Sequence, residues 1–171
     1  MTGMNSLNMM KKLIFACIAA FAFFSSAYAM KDPDATGSKL VTVQAGGFPG
    51  FGGLLSGQIA LSHIGQGHLY GGFQIGGNYR HGAVLDTRMM DLSFAPRVLY
   101  GFNLGRVVEL HAGGLAGIDV RRLDSLNSQL VFCYGGFGGL RLHLNESFGF
   151  VLEGCYSNTF PYATAGLAIR F

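Results

Sequence analysis

Charge is what this chain has least of. Of its 171 residues only 12% are Asp, Glu, Lys or Arg, about half the share of an ordinary soluble domain. No lysine follows Lys39, and after that point glutamate is limited to Glu109, Glu146 and Glu153. A sheet with one face in water covers that face with such residues, so this stretch cannot build a large water-facing polar surface. Twelve cations against nine acids leave too small a basic excess for a nucleic-acid binder. Three cysteines, one of them Cys17 in an early apolar run, exclude a disulfide scaffold. Beyond that run no stretch of about 18 apolar residues occurs, so no transmembrane helix is expected. Apolar residues and glycine fill the gap: 50% of the chain is hydrophobic and 27 residues are Gly, a composition far from that of a disordered chain.

Residues 1–29 read as a cleavable signal peptide. A polar start ends in Lys11-Lys12, an apolar run covers Leu13–Phe24, and Ala27 and Ala29 supply the small residues before a cut after Ala29. The run is too short to span a bilayer as a helix. A start at Met9 or Met10 gives a leader of more usual length, and Ile14-Phe15-Ala16-Cys17 loosely resembles a lipobox. The remainder divides into a polar, breaker-rich periplasmic tail, 30–38, and one domain, 39–171.

That domain alternates with period two, the signature of half-buried strands. In 91–102, Leu92, Phe94, Pro96, Val98, Tyr100 and Phe102 share one face, while Asp91, Ser93, Ala95, Arg97, Leu99 and Gly101 share the other. The test repeats over 68–80, 108–119, 129–144, 148–157 and 162–171, the last setting Tyr162, Thr164, Gly166, Ala168 and Arg170 against Ala163, Ala165, Leu167, Ile169 and Phe171. Segments 39–48 and 54–63 fit less cleanly and complete a set of eight strands. Connections at 64–67, 103–105 and 145–147 are tight and fall on one rim; those at 81–90 and 120–128 are longer, and 49–53 and 158–161 are short. Short turns on one rim and longer loops on the other are the pattern of a membrane barrel. Small residues and a few charges on the polar face suit the narrow interior of eight strands, while the nearly charge-free apolar face suits lipid. The expected fold is therefore all-β: an eight-stranded antiparallel up-and-down transmembrane β-barrel, with aromatic girdles of Tyr100, Phe102, Phe148, Phe150 and Phe171 on one side and Tyr79, Phe94, Phe132, Tyr134 and Tyr156 on the other.

The interior-facing charges are Arg97, Glu109, Arg141, Glu153 and Arg170, with His111 and His143 nearby. Enclosed charges must pair, because an unpaired one is far costlier, so these residues are expected to form a polar network that plugs the lumen. No cofactor or metal is expected. The glycine pairs complete no G-x-G-x-x-G, no clustered Cys/His spacing appears, and His63 and His68 fall on opposite faces by the alternation. Cys133 and Cys155 share the interior face about three residues out of register, which predicts free thiols.

The C-terminal octet Thr164-Ala165-Gly166-Leu167-Ala168-Ile169-Arg170-Phe171 resembles the β-signal of bacterial outer-membrane barrels, through Thr164, Gly166, Ile169 and Phe171. In size and pattern the domain resembles the small barrels of the OmpA, OmpX and OmpW type. That resemblance implies residence in the outer membrane, contact with its lipid, handling by periplasmic chaperones and the barrel-assembly machinery, and a monomer. Cys155-Tyr156-Ser157-Asn158 lies where the lipid A deacylase family of barrels carries His-x-Ser-Asn, but Cys155 replaces the base and no acidic residue follows Glu153 to orient one. The expected function is a structural or surface role without catalysis. A narrow pore for small hydrophobic solutes, as in the OmpW type, is the alternative, and a deacylase-like enzyme a more distant one.

Overall fold

The computed structural model describes residues 36–47, 50–81, 88–105, 107–123 and 127–171; the leader and most of the tail lie outside them. Eight strands follow one another: β1 (Lys39–Gly47), β2 (Phe51–Ile64), β3 (Gly67–His81), β4 (Arg88–Leu104), β5 (Val108–Leu123), β6 (Asn127–His143), β7 (Phe148–Ser157) and β8 (Ala163–Arg170). Each pairs antiparallel with the next, and β8 pairs with β1 from Leu40↔Arg170 to Gly47↔Ala163, closing the barrel. Closure satisfies the backbone groups internally, as a lipid-facing sheet requires.

Side-chain alternation sorts the residues as the periodicity predicts. Phe94, Val98, Tyr100, Leu110, Ile118 and Leu152 point outward and are exposed, while Asp91, Arg97, Glu109, Arg141 and Glu153 point inward and are buried. The inward glycines let the strands close. An ideal Cβ on Gly72, Gly113, Gly139 or Gly166 would stand 1.9–2.2 Å from a backbone oxygen of the neighbouring strand.

Four expectations need correction. The connections placed at 81–90 and 120–128 are shorter than expected, because strand takes up both ends of each: β3 runs to His81 and β4 starts at Arg88, and β5 runs to Leu123 and β6 starts at Asn127. Hydrogen bonding to a neighbour carries each strand past the point where apolar alternation fades. The extra length of β3–β6 lies on the loop side, forming a wall above the shorter β7, β8 and β1. Second, Ser38 belongs to the folded part: it is buried, its carbonyl accepts from Ala60 N at 2.9 Å, and Gly37 N donates to Ala60 O at 2.8 Å. Third, Tyr162 does not face inward but stacks outside on Tyr156 at 6.3 Å. Fourth, His63 and His68 are direct cross-strand partners, because a bulge between Ala60 and Ser62 slips the β2–β3 register by one residue. Such a slip moves each later side chain to the other face.

Above the end of β7, the outer edge of β6 is met by a side chain. Asn158 accepts from Tyr134 N at 3.0 Å and donates to Phe132 O at 2.8 Å, so its amide stands in for a missing strand residue.

Candidate functional site

The interior is built in layers. At the turn side Glu109 collects three partners: Arg141 donates to its Oε1, Arg170 Nη2 to its Oε2 at 3.4 Å, and His143 Nε2 lies 3.2 Å from Oε2. The carboxylate has room because Gly101 offers no Cβ; one there would meet Glu109 Oε1 at 2.4 Å. Arg141 Nη2 also donates to Gln58 Oε1 at 3.0 Å. From Gln58 a hydroxyl and amide chain runs through Ser56, Thr42, Gln44 and Thr164, with links of 2.6–3.1 Å. The middle layer centres on Arg97, which donates to Gln74 Oε1 at 2.8 Å and Glu153 Oε2 at 2.9 Å and stacks 3.9 Å above the Phe137 ring. His111 Nε2 lies 3.2 Å from the same Glu153 oxygen.

Above Arg97 the filling turns apolar. Ala95, Leu115, Cys133, Phe137, Cys155 and Phe160 form a buried cluster. Phe160 reaches it because the 158–161 connection folds inward: a Cβ on Gly76 would meet Phe160 Cε1 at 2.6 Å, and one on Gly52 would meet the Pro161 ring at 2.9 Å. Over this strap lies a further charged layer. Asp91 pairs with Arg80 and, at 3.0 Å, with Arg121 Nε; Asp119 accepts from Ser93 Oγ at 2.9 Å and lies 3.6 Å from Arg121 Nη2. Arg121 and Asn78 hold the strap by donating to the carbonyls of Asn158 and Thr159 at 3.4 and 3.3 Å.

The six residues expected to form the interior network, Arg97, Glu109, His111, Arg141, Glu153 and Arg170, are all buried and bonded within two adjoining layers. The cluster of Arg80, Asp91, Asp119 and Arg121 is the part sequence reading missed. Alternation places Arg80, Asp91 and Asp119 inward, but the connection expected at 120–128 takes in Arg121, the cation that bridges the two aspartates.

The serine and asparagine of the deacylase-like tetrad have structural occupations. Ser157 Oγ accepts from Thr159 N at 3.1 Å and Phe160 N at 2.7 Å, turning the chain into the strap, and Asn158 clamps β6. Cys155 is buried in the apolar cluster and lies opposite Phe137, four residues along β6 from Cys133, about 13 Å at strand rise. Both thiols are free. An alkylating reagent should label neither on the folded barrel and both after unfolding without reductant; zero labels after unfolding would mean a disulfide.

Of the β-signal residues, Thr164 donates to Gln44 Oε1 at 2.6 Å, Gly166 admits the backbone of β1, and Phe171 exchanges backbone hydrogen bonds of 2.9 and 3.1 Å with Lys39. Ile169 faces outward between Val41 and Phe148.

No family model and no curated protein matches the chain. Solved structures do match it. Neisserial surface protein A superposes with a TM-score of 0.53 at 15% identity, over 78% of this chain and 94% of its own. The attachment invasion locus protein of Yersinia pestis gives 0.52 at 15%, over 80% and 100%. A de novo designed transmembrane β-barrel gives 0.51 at 12%, over 80% and 98%. The fold is that of the small eight-stranded transmembrane barrels. A designed sequence shares it with two bacterial ones at these identities, so the likeness lies in closure, strand number and alternation. The interior layers of this barrel are argued from its own residues. Its exterior suits a lipid environment: exposed Tyr100 and Phe150 sit toward the turn rim, Phe51, Tyr79, Phe94, Phe132, Tyr134 and Tyr156 toward the loop side, and apart from Phe73, which lies against Phe94, the positions between are largely aliphatic, alanine or glycine.

Proposed function

We propose that this protein is an outer-membrane barrel with a structural and surface role, an interior closed to solutes, and no catalytic activity. The inward-folded strap carries this reading. Phe160 stands on Gly76 between the Arg97–Glu153 layer below and the Asp91–Arg121 layer above, so a solute would have to displace an apolar stopper and paired charges in succession. Separating an enclosed ion pair leaves charge uncompensated, which resists spontaneous opening. Ser157 Oγ accepts from two backbone N–H groups, which supports the absence of a nucleophile, since an attacking oxygen needs a lone pair free for its target as well as a base for its proton. On this reading the surface offered outside the cell is the wall of β3–β6 rather than long loops, because only six and three residues separate β3 from β4 and β5 from β6. The lipid of the outer membrane is the main partner, and the assembly machinery acts through the C-terminal octet.

Planar-bilayer recording tests closure. The purified barrel should insert without unitary current steps. Steady steps abolished by a detergent-like blocker would overturn the reading in favour of a narrow pore for hydrophobic solutes; Glu109→Ala and Glu153→Ala should then alter their size.

A further inference from the structure

We propose that His63 and His68, at the tip of the β2–β3 hairpin, form a two-imidazole chelate for a divalent transition-metal ion, copper(II) by preference. The Ala60/Ser62 bulge turns His63 onto the face of His68, and the two residues are direct cross-strand partners. Their ring centroids are 4.7 Å apart, with planes at 66°. A metal about 2.0 Å from an imidazole nitrogen lies about 3.1 Å from that ring's centroid, and two such rings at 90–110° about the metal have centroids roughly 4.4–5.1 Å apart. The observed separation meets this requirement, which an edge-to-face contact of two metal-free rings also meets, so copper uptake itself is the discriminating observation.

The tip is also held in place. Tyr100 OH donates to Ile64 O at 2.8 Å, and Gly65 takes a φ of +62° in the tight turn. At Gly67 a Cβ would meet Gly101 O at 2.1 Å, so β3 and β4 are in close contact beside the pair. His63 is exposed while His68 is buried at the lumen mouth, so an ion would enter from the turn-side solvent. Among the described residues no third His, Cys, Asp or Glu completes a closed metal site, and Glu109 is engaged by Arg141 and Arg170. Water would therefore fill the remaining positions, giving an exchangeable site rather than a structural one. Two nitrogens with open tetragonal positions suit copper(II) and then nickel(II), and copper(II) stands highest in the affinity order of divalent first-row ions.

Copper(II) titration of the folded protein in detergent, followed by electron paramagnetic resonance and repeated calorimetrically with nickel(II), tests the proposal. One copper(II) per chain with nitrogen hyperfine structure is expected. His63→Ala, at an exposed position, and His68→Gln should each weaken it at least tenfold, while His81→Ala should leave it unchanged. Heat-modifiable gel mobility confirms that each variant is folded. Absence of binding to the parent, parent-like binding by folded His63→Ala, or loss of the signal in His81→Ala would overturn the assignment.

Discussion

Glu109→Ala is expected to destabilise the barrel by about 3–5 kcal/mol, the usual consequence of removing one member of a buried charge pair. The size follows from what Glu109 holds. Its carboxylate faces Arg141, whose guanidinium is buried, and Arg170, with His143 at 3.2 Å. Without it two enclosed arginines face each other across the turn-side mouth with no carboxylate between them. Urea unfolding in lipid vesicles, read by tryptophan-free methods such as circular dichroism or gel mobility, measures the loss. Glu109→Ala with Arg141→Met should recover much of it, because the second change removes a stranded charge and keeps volume; the non-additivity is then the coupling of the pair. A single-variant loss below about 1 kcal/mol would mean that water enters this layer and screens it.

Gly166→Ala should prevent closure at the β8–β1 seam. The ideal Cβ lies 1.9 Å from Val43 O and 2.6 Å from Gln44 Cα, and both atoms belong to backbone. A flexible side chain could swing aside; a strand bonded on both edges cannot, so the penalty should exceed the roughly 1–3 kcal/mol of ordinary overpacking. Gly114→Ala is the matched control, since its nearest atom is 3.7 Å away and the added methyl points outward. Refolding from urea into pure lipid vesicles is decisive because no assembly machinery is present. Folded yield should fall at least tenfold for Gly166→Ala and stay near the parent for Gly114→Ala. If Gly166→Ala folded normally in lipid yet failed in cells, Gly166 would matter as a recognition signal and not as a steric requirement.

Architecture was legible because two constraints coincide. Alternation assigns faces without knowledge of pairing, and the lack of lysine and glutamate rules out water on the polar face. The six interior residues followed from parity alone. Arg121 did not: it belongs to β5 because β4 and β6 hydrogen-bond beyond the apolar band, and that pairing leaves no mark on local composition. The inward strap was equally hidden, since Thr159, Phe160 and Pro161 read as a short loop until Gly52 and Gly76, distant in sequence, lie beneath them. The shared face of His63 and His68 is not legible in the sequence, because a bulge inserts one residue without any distinctive residue type.

Local sequence, by itself, determined which side of each ribbon is greasy and how many ribbons there are, because side-chain direction in a strand repeats every two residues whatever the partner. Tertiary structure alone decided which charges meet, where the chain turns inward and which glycines are sterically obligatory. Those outcomes depend on the register between strands and on closure of β8 onto β1, and both are set by pairing across the whole circumference.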